Sequence, residues 1–243
     1  MSQDTLLSVC SRDKSVWIYE IPETLFNHSS NPNADAGTCD VVSILTHHTG
    51  DVKTLTSLPD DPDDVLISAS YDGTINVYVA DEAGDYALST TIKQEEEEEG
   101  GERQGGDPAT IWSLAVTPHG TRLYAGTGDA TVLVYEIDGV SFNLLHTILV
   151  GPVLMDGEMP SPVYSVALPP SRASHSCLLV AHGAGIYLYR EVSSVMGGGW
   201  KVDACAESAH EGDVMSVKYV EDGRGILSVG EEGKLRVWAY TIG

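Results

Sequence analysis

LISASYDGTINVY, residues Leu66–Tyr78, decides the fold. An alternating run leads into Tyr71, Asp72 and Gly73; a second alternating run leaves them and ends in an aromatic ring. Such alternation on both sides of an Asp-Gly turn reads as two antiparallel strands of a hairpin. The pattern recurs along the chain. LSVCSRDKSVWIY (Leu7–Tyr19) and LYAGTGDATVLVY (Leu123–Tyr135) match it position for position. LVAHGAGIYLY (Leu179–Tyr189) is shorter and lacks the Asp, and ILSVGEEGKLRVW (Ile226–Trp238) closes the series.

Working outward, a third strand-like run precedes four of these hairpins: Val52–Leu58, Ile111–Thr117, Val163–Leu168 and Val214–Val220. Shorter runs, Val41–Leu45, Leu144–Leu149 and Val202–Glu207, precede those. Four strands per unit, the hairpin closing on Trp or Tyr, is the pattern of WD40 propeller blades. One blade is apolar on both faces and must stack on neighbours to bury them. The expectation is therefore an all-β WD40 β-propeller occupying residues 1–243 as one incomplete domain. It would have three complete blades and two partial ones, out of a seven-bladed ring shortened at its N-terminus. The closing aromatics, Tyr19, Tyr78, Tyr135, Tyr189 and Trp238, are spaced more widely than the roughly 40–45 residues of a minimal repeat. The surplus is assigned to loops at 22–38, 94–108 and 151–162. The second of these contains five consecutive glutamates, Glu95–Glu99, which repel one another and bury nothing, so it reads as a solvated loop.

Composition narrows the partners. Among 243 residues, 36 acidic and 13 basic side chains leave a net charge of −23. Such a surface repels phosphate backbones, so no nucleic-acid partner is expected. No run of 18 apolar residues occurs, and the first residues lack a basic and apolar leader, so neither a membrane partner nor export is expected. Cys10, Cys39, Cys177 and Cys205 are scattered, with no CxxC pair. They read as reduced thiols and make no cluster-ligand set. No cofactor or metal is expected: His47, His48 and Asp51 lack an assured further ligand. Gly126-Thr127-Gly128 leads into a strand where a phosphate loop would need a helix.

Four stretches carry a family resemblance: LLSVCSRDKSVWIYE (residues 6–20), SILTHHTGDVKTLTSLP (43–59), LISASYDGTINVY (66–78) and ATIWSLAVTPHGTRL (109–123). They resemble consecutive repeats of the cytosolic iron–sulfur protein assembly WD40 family, most closely over 6–136. CSRDKSVW is the most specific element. The resemblance implies a non-catalytic scaffold of the targeting complex that delivers iron–sulfur clusters to apoproteins in the cytoplasm and nucleus. Its partners would be a MIP18-family protein, a HEAT-repeat targeting subunit and the apoprotein clients. A generic WD40 adaptor, such as a ubiquitin-ligase or signalling subunit, and a non-functional fragment of the family stay open beside it.

His48, Ser68 and Asp72 have the spacing of the hydrogen-bonded network that ties a WD40 turn to the strand before it, and His210, Ser228 and Glu232 repeat it in the last unit. Reading His48, Ser68 and Asp72 as a hydrolytic triad is formally open, but such networks are structural in propellers, so no catalytic residue is assigned. Asp13 and Asp129 lack the full set, with Ala125 in the Ser position before Asp129. Trp17 and Trp112 are expected to pack between blades. Arg12 precedes the turn Asp13 at a position that points to the turn face of a blade, and Tyr71 holds the same place in the next unit. A guanidinium fork there suits carboxylate recognition. In the family the matching Arg is associated with function, and clients carry acidic–aromatic C-terminal tails. Arg12 and Tyr71 are therefore the expected partner contacts.

Overall fold

A computed structural model describes residues 5–22, 38–59, 64–94, 109–152, 159–170, 177–192, 199–220 and 225–239. The described chain is built of strands in five antiparallel sheets. Sheet 1 contains β1 (Thr5–Cys10), β2 (Val16–Ile21) and β3 (Asp40–Leu45). Sheet 2 contains β4 (Val52–Ser57), β5 (Leu66–Ser70), β6 (Thr74–Ala80) and β7 (Tyr86–Lys93). Sheet 3 runs β8 (Ile111–Val116), β9 (Arg122–Thr127), β10 (Thr131–Asp138) and β11 (Ser141–Leu149). Sheet 4 runs β12 (Val163–Ala167), β13 (Cys177–His182), β14 (Gly185–Val192) and β15 (Gly199–Ala206). Sheet 5 holds β16 (Val214–Tyr219), β17 (Gly225–Gly230) and β18 (Leu235–Ala239). This is an incomplete β-propeller: three four-stranded sheets between two three-stranded ones, each strand paired with the next in sequence.

Local chemistry explains the hairpins. β5 and β6 pair Leu66 with Tyr78 and Ala69 with Ile75, so β-branched and aromatic side chains alternate between the two faces. The turn between them needs a left-handed residue, which Gly73 supplies at φ 76°. Lys14 and Ala130 take the same place in sheets 1 and 3 with φ of 72° and 64°, a conformation that costs a residue with a Cβ.

Apolar clusters lie between consecutive sheets. Val16 and Ile18 of sheet 1 meet Val52, Leu66 and Tyr78 of sheet 2. Ile67, Ile75 and Val77 meet Leu123 and Tyr135 of sheet 3. Val132 and Val134 meet Leu178 and Tyr189 of sheet 4, and Leu179 and Ile186 meet Val214, Ile226 and Trp238 of sheet 5. Truncating such a fully buried Leu or Ile to Ala costs about 2–5 kcal/mol, which ties each sheet firmly to the next. Between sheets 3 and 4, Arg122 Nη1 donates to both carboxylate oxygens of Glu191 at 2.9 Å.

Some expectations need correction. β7 has no forecast in the sequence pattern: YALSTTIK is the outermost strand, mostly solvent-facing, and carries little apolar alternation. Trp112, on the inner strand β8, meets Tyr164 of sheet 4 edge to face and also lines a cleft. The expected loops at 22–38 and 94–108 lie outside the described residues apart from their ends. Within 151–162, the described residues 151–152 and 159–162 form no strand.

Candidate protein-docking face

The turns of sheets 2 and 5 are tied down by side-chain networks. His48 Nε2 lies 2.7 Å from Ser68 Oγ, and its Nδ1 lies 3.2 Å from Asp72 Oδ2. Asp72 also accepts from the Thr49 backbone N–H at 2.7 Å and the Thr74 N–H at 2.9 Å. Burial alone would raise the Asp72 carboxyl, but the Thr74 and Thr49 donors and His48 outweigh it and hold it well below the ordinary carboxylate range. Burial pushes His48 down, with Asp72 opposing, so the ring is neutral near pH 7. A neutral ring donates from Nδ1 to the carboxylate and accepts the Ser68 O–H at Nε2. Ser68 is fully buried beneath the His48 ring.

The last unit repeats this arrangement with one substitution. His210 Nδ1 lies 2.6 Å from Glu232 Oε1, His210 Nε2 lies 2.7 Å from Ser228 Oγ, and Trp238 Nε1 donates to that same oxygen at 2.8 Å. Glu is one methylene longer than Asp, and Gly230 makes room for it. A Cβ at Gly230 would collide with Glu232 Oε2 and His210 Nδ1. Sheet 3 holds its turn differently: Thr131 Oγ1 donates to Asp129 Oδ1 at 2.8 Å, and Thr127 Oγ1 bonds the same carboxylate.

With the turns fixed, the inner strands present the face that matters. Pairing of β4, β8, β12 and β16 with the next strand slips by one residue after the first position, leaving Lys53, Trp112, Tyr164 and Met215 without a partner across the ladder. A bulge of this kind re-aims its side chain. The four bulged residues line one cleft of about 560 Å³ between the inner strands. Lys53 Nζ sits 5.0 Å from the Trp112 ring centroid and 5.4 Å from that of Tyr71, within cation–π range. Trp112 meets Tyr164 edge to face at 5.1 Å.

The sequence-derived contacts join this row at one end. The Arg12 side chain is 92% exposed, with Nε 3.4 Å from Asp51 Oδ2; Lys53 Nζ is also 3.4 Å from that oxygen. Tyr71 is exposed, and its N–H donates to the Asp51 carbonyl at 2.8 Å. Asp51 thus links Arg12 of sheet 1 to Lys53 and Tyr71 of sheet 2. The far end is acidic. Burial, a hydrogen bond to Asp213 and the nearby Glu231 push the Tyr164 hydroxyl up to about 12, so it stays protonated. The face therefore runs from two cations, across aromatic rings, to carboxylates. Lys53, Trp112 and Tyr164 escaped the sequence reading, although aligning the inner strands shows the signal: each bulged residue lies between a buried Val or Ile and a Thr or Ser. Among the described residues, no three of His, Cys, Asp and Glu come together as a set that could hold a metal ion.

Residues 39–78, 103–136 and 204–239 match the model of the WD domain, G-beta repeat. Those three stretches are similar to WD40 repeats. Over 125 residues, 45% of this chain, it is 33% identical to a Neurospora crassa protein named "Probable cytosolic iron-sulfur protein assembly protein 1". Over 121 residues, 44% of this chain, it is 31% identical to a Chaetomium globosum protein of the same name. The similar stretch of the chain spans 24% and 23% of those relatives' own length.

Proposed function

We propose that this chain is a non-catalytic scaffold in cytosolic iron–sulfur protein assembly, which grips partner proteins on the face bearing Arg12, Lys53, Tyr71, Trp112 and Tyr164. The observation that carries this reading is the row itself. Two cations share one carboxylate beside an exposed Tyr and a Trp, in a chain of net charge −23 where free basic groups are scarce. An incoming carboxylate can displace Asp51 from Arg12 and take the guanidinium fork, while an adjacent aromatic side chain stacks on Tyr71 or Trp112. Acidic–aromatic segments of iron–sulfur apoproteins fit that chemistry. The names of the two relatives favour the same process and a cytosolic setting. A MIP18-family protein and a HEAT-repeat subunit are the companion components in this reading, with delivery extending to nuclear apoproteins.

Affinity purification of the tagged chain from cells tests it, with the Arg12→Ala and Tyr71→Ala variants alongside. The wild type is expected to recover the MIP18-type and HEAT-repeat components. Arg12→Ala is expected to lose clients and to lower iron incorporation into them by about tenfold, the scale of one charge-assisted contact. Unchanged recovery and unchanged client maturation in Arg12→Ala would refute the assignment of Arg12. Recovery of ubiquitin-ligase subunits in place of assembly factors would instead point to a general adaptor.

A further inference from the structure

Three turns are closed by the same backbone link. The Tyr71 N–H donates to the Asp51 carbonyl, the Gly128 N–H to that of Thr110 and the Glu231 N–H to that of Asp213, each at 2.8 Å. Tyr71, Gly128 and Glu231 therefore hold equivalent places on sheets 2, 3 and 5, each one residue before the turn carboxylate. Tyr71 and Glu231 are both exposed. Of these three sheets, sheet 3 alone offers no side chain there.

The fold does not ask for glycine at 128. Gly73 holds a left-handed backbone, whereas Gly128 does not. At Gly126 an added Cβ would collide with Ser113 Oγ and Val163 Cγ1. At Gly128 it would meet Trp112 Nε1 at 3.4 Å and the Thr110 backbone at 3.6 Å, which are ordinary van der Waals contacts. A side chain would fit, and it would lie on the Nε1 edge of the indole. Sheet 2 shows the effect: the Tyr71 ring lies 5.4 Å from the ammonium of Lys53, the bulged residue of its own sheet. Glycine keeps the same place clear beside Trp112, the bulged residue of sheet 3.

What it leaves clear is a donor. Lys53 Nζ lies over the Trp112 ring at 5.0 Å and Tyr164 meets that ring edge to face, from the inner strands on either side. The indole N–H only donates, and the Lys53 ammonium carries three protons for its one bond to Asp51. A carboxylate is the acceptor that gains most from both, because charge-assisted bonds are about twice as strong as neutral ones. Beyond Trp112 the face turns acidic, with Tyr164 bonded to Asp213, so the acceptor seats on the Lys53 side.

We infer that Gly128 determines what the docking face selects: its missing side chain bares the Trp112 N–H, and a partner carboxylate binds there between the indole and Lys53. The inference rests on the docking reading above and sharpens it. Arg12 takes one carboxylate, Tyr71 takes the aromatic ring, and Trp112 with Lys53 takes a second carboxylate. The partner segment is therefore acidic on both sides of its ring.

Fluorescence anisotropy of the full chain with two end-blocked peptides tests this. One peptide has aspartate on both sides of a tyrosine; in the other, one of the two aspartates is changed to asparagine. Wild type is expected to bind the first about tenfold more tightly, the scale of one charge-assisted contact. Gly128→Leu covers the indole edge, and Trp112→Phe keeps a ring without an N–H; each is expected to bind the two peptides alike. Gly128→Ala, whose Cβ makes only ordinary contacts, replaces Gly128→Leu should the larger side chain disturb the fold. In nuclear magnetic resonance spectra, the indole N–H signal that Trp112→Phe removes is expected to move further with the first peptide than with the second. Equal binding of the two peptides by wild type overturns the inference and leaves the docking face standing, as does a preference that survives in Trp112→Phe. A wild type that binds neither peptide refutes the docking face itself, and the inference with it.

Discussion

Gly230 and Glu232 are fitted to each other: the longer carboxylate that reaches His210 occupies the space a side chain at Gly230 would need. Sheet 2 solves the same problem with Ser70 and Asp72. There Ser70 Oγ accepts the Asp72 backbone N–H at 3.1 Å, and the shorter carboxylate leaves room for the serine.

Gly230→Ala is therefore expected to push Glu232 and His210 apart and to lower stability by about 2–3 kcal/mol, the scale of an overpacked buried site. The double change Gly230→Ser with Glu232→Asp recreates the sheet 2 pair and is expected to recover most of that loss. Denaturant titration of the single and double variants decides it. A double variant no better than Gly230→Ala alone would show that the two positions are not coupled.

His48→Ala leaves Ser68 and Asp72 without their shared partner in a mostly buried site. Asp72 keeps its Thr49 and Thr74 donors, so the lost His48 hydrogen bonds and the emptied ring volume set the cost, about 1–3 kcal/mol in urea unfolding. The exposed His119→Ala should stay within about 0.5 kcal/mol of wild type. Equal effects of the two substitutions would contradict a structural role for His48.

Acid should weaken the fold in two stages. Burial pushes His48 and His182 below the usual imidazole range, with Asp72 and Asp213 opposing. The unfolded chain then takes up protons that the folded chain refuses, so stability is full above the ordinary His value of about 6.5 and is lost as pH falls below it. Asp72 is held low when folded, so its contribution is present above the ordinary Asp value of about 3.9 and fades as pH drops further. The check is the urea midpoint against pH at high salt, where repulsion among the excess carboxylates is screened. A midpoint that rises on going from pH 7 to pH 5 would contradict this account.

Lys14 holds a left-handed backbone at φ 72° where sheet 2 uses Gly73. Lys14→Gly is expected to stabilise the chain by about 0.5–1 kcal/mol, relief of strain exceeding the extra freedom gained by the unfolded state. Thermal melting of the variant measures it, and a lower melting point would show that Lys14 makes a compensating contact.

The hairpins were legible because alternation and the turn residues repeat in register, as Leu66–Tyr78 and Ile226–Trp238 show. The docking row was less so. Arg12 and Tyr71 stand beside the turn Asp and can be found by counting, but Lys53, Trp112 and Tyr164 depend on a one-residue slip in ladder pairing that breaks the period-two rule locally. Trp112 read as an interior residue because alternation alone places it on a packed face. Gly230 passed unnoticed because its role is space, which a sequence does not display.

The substantial contacts of each sheet are with the sheets beside it, and this ordering governs how the molecule loosens. Cohesion is handed along the row like tension in a chain, so amide protons in sheets 2 to 4, gripped from both sides, will exchange last. Since Arg12 stands on sheet 1 while Lys53 and Trp112 stand on sheets 2 and 3, a ligand that bridges them also clamps three successive sheets together.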